Sequence, residues 1–492
     1  MLTQIEIDGF KTFKDFQVEL APFQVIVGPN GSGKSNLFDA LLLLSHLADN
    51  DLSTAFQGLR GDAGELFTTL PGGKSVDRIR IAVEMLVDRK VRDDLGKEEK
   101  LKYTRLRYEL EITQGTDIPG LERLYVRHEL LQAIPPDKDR WCEKYNLSSQ
   151  NGWLPEFIVP EANFIDTGYA HYPLEEDVNF HSDTPIINLY PDSNLYHGEQ
   201  IREYRAQYNS RDLQRSVLSS VNNTNYPHIF AAREELRSLR FLHLNPEALR
   251  QPSSIKDPRF LSPQGKNMPT TLARMQAEDE FAVNDVSLDL VNLVPDLTDI
   301  ELKRDEVRNE YTIWASYMDG RSFSSRVLSD GTLRLLALTI LRNDPQFRGI
   351  LCIEEPENGV NPMYLKEIGR LLRKMATDFD DPEQVDEPLR QVLITTHSPT
   401  FISLPEVIVN LIIAYTMTRV EPLSSGNPSL EITCMTPVVT PSTQPQLSIN
   451  SNRDETMEVY TLDQVIKYLD SEGLDAAREL LERARTSLNE GQ

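Results

Sequence analysis

The sequence predicts an α/β fold, because three short apolar strands each run directly into a loop of polar or charged residues. The strand over residues 25–27 leads into a glycine-rich loop, and a Leu- and Ala-rich helix follows over 36–47. Later in the chain, residues 350–353 end at two glutamates, and residues 391–395 end close to His397. Ligands of α/β sheets bind outside the carboxyl ends of the strands, so we expect the functional residues there.

The elements around these strands divide the chain into a discontinuous head and two additional segments. Alternating apolar residues predict a β-meander over 78–133, whereas 135–228 is rich in Pro, Asn, Asp, Ser and Tyr. Regular elements then return, including a strand over 240–244 and one helical run over 270–293. The predicted domains are a head formed by 1–134 and 229–435, a loop-rich insertion over 135–228, and a linker with small C-terminal helices over 436–492.

The composition argues for a folded protein that stays in solution. Hydrophobic residues make up 39% of the 492 residues, and the formal net charge is −25. No apolar run approaches the ~20 residues needed to cross a bilayer, and the opening segment lacks the pattern of a secretory signal. We therefore expect a cytoplasmic protein without a membrane partner. The negative charge argues against a uniformly basic surface but leaves a local nucleic-acid groove open.

The glycine-rich loop fits the phosphate-binding pattern G-x-x-x-x-G-K-[S/T] in full. Its glycines allow backbone N–H groups to converge on phosphate oxygens without interference from a Cβ atom. Lys34 places an ammonium between the outer phosphates, Ser35 offers a hydroxyl to Mg²⁺, and the following helix points its positive dipole end at the anion. The loop therefore predicts binding of ATP with Mg²⁺. The predicted contact residues are Gly28, Pro29, Asn30, Gly31, Ser32, Gly33, Lys34, Ser35 and Asn36.

A second motif, Leu-Ser-Asp-Gly-Thr at 328–332, resembles the signature motif of ABC-type ATPases. The Ser329 hydroxyl and the Gly331 amide stand at the start of a predicted helix, where they suit a γ-phosphate. Ser-Asp-Gly is also an ordinary helix cap. In the ABC-type family this motif contacts the nucleotide held by the opposite subunit. The resemblance therefore implies a head-to-tail homodimer, or a higher homo-oligomer, joined through the ATP sites.

The strand over 350–353 and the residues after it resemble the Walker B strand and D-loop of the same family. The resemblance implies that Glu354 lies near Mg²⁺ and that Glu355 orients and polarises the attacking water. The commonest family pattern is Asp-Glu, so the longer Glu354 side chain puts the usual metal geometry in doubt, although we still expect hydrolysis. His397 resembles the switch histidine, which contacts the γ-phosphate and reports its loss.

Three further residues carry predictions that have a plain alternative. The Gly-Phe-Lys-Thr-Phe segment at 9–13 resembles the early strand of SMC- and RecF-like heads, in which Lys11 and Thr12 would approach the nucleotide. Gln57 is the candidate Q-loop residue and would contact the metal. For all three residues, the alternative is an ordinary surface position.

The spacing of the motifs selects a branch of the ABC-type family. Leu328 lies 300 residues after Gly28, a much wider gap than in transporter-type domains. The chain resembles the RecF/SMC/OLD group, and within it the bacterial AAA family ATPases (AAA_21-like) with a compact insertion. This resemblance covers about residues 1–60 and 240–415. The insertion lacks the heptads of an SMC arm, and the C-terminal part lacks the acidic pattern of an OLD-type nuclease.

The resemblance leaves three functions open. ATPases of these families without their own effector often act with a separately encoded nuclease or toxin, commonly in defence against phage. The alternatives are a RecF-like DNA-repair clamp and a slowly hydrolysing scaffold locked by nucleotide. A basic stretch over 89–107 could bind DNA, but acidic residues interleave with it and favour an ion-paired hairpin.

Overall fold

The computed structural model describes residues 1–118, 121–155, 187–189, 214–258, 260–420, 429–439 and 460–461. The strands in these residues are β1 (Leu2–Asp8), β2 (Phe16–Glu19), β3 (Phe23–Val27), β4 (Arg78–Leu86), β5 (Lys90–Arg92), β6 (Glu98–Lys100), β7 (Arg105–Ile118), β8 (Leu121–Ala133), β9 (Ile187–Leu189), β10 (Arg240–Leu242), β11 (Ser253–Ser254), β12 (Leu297–Asp305), β13 (Glu310–Tyr317), β14 (Ser322–Ser324), β15 (Gly349–Glu354), β16 (Arg390–Thr396), β17 (Leu411–Val420), β18 (Ser429–Val439) and β19 (Tyr460–Thr461). The α-helices are α1 (Lys34–Leu47), α2 (Leu52–Gln57), α3 (Arg140–Lys144), α4 (Pro227–Arg237), α5 (Pro246–Leu249), α6 (Met268–Glu278), α7 (Ala282–Val291), α8 (Asp330–Asn343), α9 (Leu365–Met375), α10 (Pro399–Ile402) and α11 (Pro405–Ile408).

The predicted α/β fold is confirmed, and its centre is a sheet with the strand order β10-β15-β16-β3-β17-β18-β19. From β10 to β17 all neighbouring strands are parallel, and β18 then pairs antiparallel with β17. All five residues of β3 are buried, which explains why this strand is a continuous apolar run in the sequence. The strand order brings the carboxyl ends of β3, β15 and β16 to one edge of the sheet.

Two hydrophobic cores lie on opposite faces of the central sheet, because successive strand side chains point to opposite faces. Val25 and Val27 belong to a core that contains residues of α6, α7, α8 and α9. Ile26 belongs to the other core, together with residues of α1 and of β1, β4 and β7. The central sheet is therefore packed between a helical layer and a layer that contains α1 and a second sheet.

The second sheet has the order β2-β1-β4-β7-β8-β9 and is antiparallel from β2 to β8. It confirms the predicted meander over 78–133, in which the short β5–β6 hairpin lies between β4 and β7. A smaller sheet of β11, β13, β12 and β14 flanks the helical layer.

Two element predictions differ from the structure. The single helical run predicted over 270–293 is two helices, α6 and α7, because the Asp279 carboxylate accepts a hydrogen bond from Phe281 N at 2.9 Å and forms a turn between them. The strand predicted over 240–244 ends at Leu242, its last residue paired with β15. His243 and Leu244 therefore follow the strand as loop residues.

The described ends of the insertion pack against the head. Trp141 and Trp153 share a small hydrophobic core with Met1 and Leu389. At the other end, the hydroxyl of Ser216 donates to the carbonyl of Leu47 at the end of α1 at 3.0 Å. In the C-terminal part, β18 runs to Val439, past the predicted start of the linker at 436, while the helices predicted over 462–488 lie outside the described residues. None of the helices that the structure describes has the length and apolar character required for a membrane span.

Candidate functional site

The loop between β3 and α1 folds tightly because its glycines occupy positions that other residues could not. Gly31 and Gly33 have φ angles of 82° and 93°, in the left-handed region that disfavours a Cβ atom. A Cβ on Gly28 would lie 2.2 Å from the carbonyl oxygen of Ala414, and one on Gly33 would lie 2.1 Å from Oγ1 of Thr433. The loop is therefore enclosed by β17 and β18 from one side.

Lys34 is the first residue of α1 and is only 9% exposed. Its ammonium donates to the carbonyls of Gly28 at 2.6 Å and Pro29 at 2.9 Å, so the loop holds the side chain in place. Burial lowers the pKa of Lys34, and the negative charges of Glu355 and Glu354 act in the opposite direction. A phosphate ligand would further favour the charged form.

A cavity of about 290 Å³ opens at the carboxyl edge of the central sheet, beside this loop. It brings together residues that are more than 300 positions apart in the sequence. Eight predicted site residues line it, namely Asn30, Gly31, Gly33, Lys34, Ser35, Asn36, Glu354 and Glu355. Five residues that sequence reasoning did not select also line it, namely His243, Leu244, Arg334, Asn358 and Thr395.

Glu355 is held in a defined position at the rim of the cavity. Its φ of 47° is rare for a residue with a side chain, and such strained positions cluster at functional sites. Nδ2 of Asn358 donates to Glu355 Oε2 at 2.5 Å, and Nδ1 of His397 lies 2.8 Å from Oε1 and donates to it when protonated. The backbone N–H of Glu355 donates to the carbonyl of Thr395 at 2.8 Å. These contacts orient the Glu355 carboxylate and join it to the predicted switch histidine.

The oxygen ligands in the cavity fit a magnesium ion bound together with phosphates. Ser35 and Glu354 line the same cavity, and hydroxyl and carboxylate oxygens are hard ligands of the kind Mg²⁺ prefers. The described residues contain no group of three or more His, Cys, Asp or Glu that could hold a metal ion. A P-loop site needs none, because substrate phosphates and water complete the coordination.

Lys11 and Thr12 lie near the loop but outside the cavity lining. Lys11 Nζ donates to Asp39 on α1 at 2.6 Å, and the guanidinium of Arg60 donates to the same carboxylate at 3.1 Å. The Thr12 hydroxyl accepts a hydrogen bond from Asn36 Nδ2 at 2.9 Å. Contact of Lys11 and Thr12 with a nucleotide stays a prediction.

Ser329 and Gly331 lie at the start of α8, outside the lining of the cavity in their own chain. The Ser329 hydroxyl accepts from Thr332 N at 3.1 Å and caps the helix. A Cβ on Gly331 would lie 3.4 Å from the carbonyl of Gly359, so the signature packs against the D-loop. The guanidinium of Arg250 donates to the carbonyl of Leu328 at 3.0 Å, which fixes the turn that precedes the helix.

Gln57 lies at the end of α2 and is exposed. Its Nε2 donates to Ser53 Oγ at 3.5 Å, and the residue does not line the cavity. The structure does not bring Gln57 together with Ser35 and Glu354, so its role at the metal stays a prediction.

Residues 23–403 match the AAA_21 family, described as "AAA domain, putative AbiEii toxin, Type IV TA system". The chain belongs to this family.

The chain is also 26% identical over 166 residues to the DNA replication and repair protein RecF of Aliivibrio fischeri strain MJ11, a match that covers 31% of the chain and 45% of that protein. The chain is 38% identical over 77 residues to the chromosome partition protein Smc of Methanocaldococcus jannaschii, over 15% of the chain and 6% of that protein. These matches confirm the predicted resemblance to ABC-type ATPases of the RecF and SMC group. The chain spans less than half the length of the curated relatives it matches.

Solved structures of SMC heads are also similar to this chain. The SMC head bound to the C-winged helix domain of ScpA matches with a TM-score of 0.45 and 12% identity, over 88% of this chain and 98% of that chain. The SMC head domain from Thermotoga maritima matches with a TM-score of 0.37 and 11% identity, over 89% of this chain and 99% of that chain.

The AAA_21 chain contains cavity residues that its sequence motifs do not reveal. His243 and Leu244 enter the site because β10 ends two residues early, which no local pattern indicates. Asn358 lies three residues after Glu355 in the loop after β15, and Arg334 lies two residues beyond the signature on α8. Asn358 and Arg334 could have been selected from the sequence, because both lie close to recognised motifs.

The basic stretch over 89–107 forms ion pairs in the described residues. Arg89 pairs with Asp386, and Lys90 with Glu98. Arg107 pairs with Glu6 of the head, and Arg105 pairs with Asp139 at the start of the insertion. The structure thus agrees with the ion-paired hairpin favoured from the sequence, because these four cations each have a carboxylate partner.

Proposed function

We propose that this chain binds ATP with Mg²⁺ in the cavity and hydrolyses it at composite sites formed by two copies arranged head to tail. The main support is that the motifs of one chain lie in two separate places, some in the cavity and some outside it. The loop with Lys34 and the carboxylates of Glu354 and Glu355 line one cavity, whereas Ser329 and Gly331 lie outside it. The signature residues would then meet the nucleotide of a second copy.

In this proposal the residues of the sequence motifs have separate tasks. Lys34 and the backbone N–H groups of the loop bind the phosphates, and Ser35 with Glu354 would hold Mg²⁺, which neutralises charge on the phosphate oxygens. The Glu355 carboxylate, oriented by Asn358 and His397, accepts a proton from the attacking water. His397 connects the γ-phosphate end of the site to the position of that carboxylate.

A complementation experiment tests the composite site. Lys34→Ala removes the phosphate ligand of the P-loop, and Ser329→Arg places a bulky cation in the signature, so neither variant alone should hydrolyse ATP. A mixture of the two should regain about a quarter to a half of the wild-type turnover, since one site of each mixed pair is intact. Phosphate release and molecular mass would be measured over a concentration series. No recovery in the mixture, or turnover by a monomer that does not depend on concentration, would refute the head-to-tail site.

We infer further that the ATP state controls a separately encoded effector, such as a nuclease or toxin, in an anti-phage or DNA-surveillance complex. The support is the family description, which names a putative AbiEii toxin and a type IV TA system. The chain and the product of its adjacent reading frame would be co-expressed, with growth and phage plating as readouts. If Lys34→Ala changed neither readout relative to the wild type, ATP control of an effector would be wrong.

A RecF-like DNA clamp is the second candidate, favoured by the 166-residue likeness to a DNA replication and repair protein. In that case duplex DNA should stimulate ATP turnover, and the stimulation should fall steeply with salt as phosphate contacts weaken. Turnover unaffected by DNA at every salt concentration would exclude the clamp. Stable ATP-bound pairs with very slow turnover would instead favour a scaffold.

A further inference from the structure

The guanidinium of Arg334 is a second cationic group in the cavity, and it forms no ion pair with the described residues. Arg334 lines the cavity together with Lys34 and Glu355. Its Nε atom is buried and has no hydrogen-bond partner among the described residues. Lys34, by contrast, donates to two carbonyls of its own loop. An arginine keeps its charge in proteins, so a buried donor of this kind requires an explanation.

The carboxylate best placed to neutralise Arg334 is bound elsewhere. Asp330 precedes it by four residues on α8, a spacing that commonly forms an ion pair on a helix. Asp330 Oδ1 instead accepts a hydrogen bond from Arg250 Nη2 at 2.5 Å. Burial lowers the pKa of the Arg334 guanidinium from its ordinary value, with Asp330 acting in the opposite direction. The position therefore favours a ligand that brings its own negative charge.

The surroundings of Arg334 indicate which part of a nucleotide it would meet. Its Nε lies 3.8 Å from the place a Cβ on Gly359 would occupy, so the side chain borders the D-loop. Asn358, the residue before Gly359 in that loop, donates a hydrogen bond to the Glu355 carboxylate. Glu355 is the proposed base for the water that attacks the terminal phosphate. In the proposed function, Arg334 therefore lies at the end of the cavity that would hold the γ-phosphate.

We propose that Arg334 binds the γ-phosphate of ATP held by its own chain and thereby distinguishes ATP from ADP. This inference rests on the proposed function of the cavity as the ATP site. A guanidinium can contact two phosphate oxygens at once, which suits it to this task. Because Ser329 caps the start of α8, the same helix would contact the terminal phosphate of its own site and present the signature to a second copy.

Nucleotide affinities of Arg334 variants test the assignment. The readout is the ratio of affinities for the fluorescent non-hydrolysable analogue mant-AMP-PNP and for mant-ADP, each with Mg²⁺. The measurements use the full chain carrying Ser329→Arg, so that pairing does not contribute. Arg334→Met keeps the bulk of the side-chain stem and should weaken AMP-PNP binding by about ten- to a hundredfold, the worth of a charge-assisted hydrogen bond. ADP affinity should stay within about twofold.

Thermal unfolding without nucleotide separates this role from a structural one. Removing an unsatisfied buried donor is neutral or stabilising, so Arg334→Met should leave the Tm unchanged or raise it. Arg342→Met is the matched control: it removes an arginine from the same helix, where that arginine pairs with Asp289 outside the cavity. The control should not change the affinity ratio. Arg334→Gln replaces Arg334→Met if the latter does not fold.

The outcomes separate this inference from the proposed function. If the chain with Arg334 intact binds neither nucleotide, the proposed ATP site is wrong. If it binds both but Arg334→Met leaves the ratio unchanged, or weakens ADP and AMP-PNP equally, Arg334 is not the γ-phosphate ligand. A marked fall in Tm for both Arg334→Met and Arg334→Gln would also overturn the assignment, since it would make Arg334 a structural residue.

Discussion

Replacing Glu355 with glutamine removes the proposed general base while keeping the shape of the side chain. The carboxylate of Glu355 accepts a hydrogen bond from Asn358 at 2.5 Å, and one from His397 at 2.8 Å when Nδ1 of the histidine carries a proton. The amide of glutamine retains one acceptor oxygen but cannot take a proton from water. Glu355→Gln should therefore fold and bind ATP, yet hydrolyse it poorly.

The substitution should change the activation energy of hydrolysis more than the free energy of unfolding. A positioned general base contributes about 10²- to 10⁴-fold to a rate, so turnover should fall by at least about 100-fold, or about 3 kcal/mol of activation energy. The Glu355 side chain is 34% exposed, so loss of its charge should change the free energy of unfolding by less than about 1 kcal/mol. Removing a negative charge next to the phosphates should leave ATP affinity unchanged or increase it.

The assay combines phosphate release, ATP affinity and molecular mass by light scattering. The ATP-bound pair should accumulate with Glu355→Gln, because its nucleotide persists. Glu301→Gln, at an exposed position on β12, is the matched control and should behave as wild type. Turnover by Glu355→Gln within about threefold of wild type would refute the assignment of the base, since that loss is far below the contribution expected of one.

Three further predictions follow from the same structure. Ser329→Arg should prevent ATP-dependent pairing, measured by light scattering, while the monomer still binds ATP; loss of both would indicate misfolding and leave the signature without support. Gly33→Ala should abolish binding of a fluorescent ATP analogue, because its Cβ would lie 2.1 Å from Thr433 Oγ1 at a φ of 93°, and wild-type affinity would contradict this loop geometry. His228 accepts a hydrogen bond from the backbone N–H of Lys102, and burial lowers its pKa from 6.5 to about 4. Because the pKa of His228 is lower in the folded than in the unfolded protein, folding favours the neutral imidazole. The contribution of His228 to the free energy of unfolding is therefore complete above about pH 6.5, and up to about 3 kcal/mol of it is lost as the pH falls towards 4. His228→Asn should flatten this part of the stability curve, measured by urea unfolding, and an unchanged slope would show that other groups cause it.

The contiguous motifs were predictable because their chemistry is local. The loop over 28–35 specifies its own conformation through Gly31 and Gly33, and the buried strands β3 and β15 appear as unbroken apolar runs. The carboxyl edge of an α/β sheet is a general binding location, so the convergence of Lys34 with Glu355 could be expected before the strand order was known.

The remaining cavity residues depend on geometry that a single sequence does not contain. His243 reaches the site because pairing between β10 and β15 stops at Leu242. Arg334 lines the cavity, and the carboxylate four residues before it, that of Asp330, pairs with Arg250, a contact between residues 80 positions apart. The break between α6 and α7 depends on one side-chain turn at Asp279 within an otherwise helical pattern. Tertiary contacts decide all of these features.

The enclosure of the P-loop by β17 and β18 has a consequence for how the protein can be shortened. The family match ends at residue 403, yet β17 pairs with β3 from Leu411 onward, and Thr433 on β18 fills the space beside Gly33. A protein cut at the end of the match would expose the edge of β3 as an open template for pairing with other molecules, a common cause of aggregation. Its nucleotide loop would also lose the wall that shapes it. A soluble, active fragment should therefore extend at least through Val439, the last residue of β18.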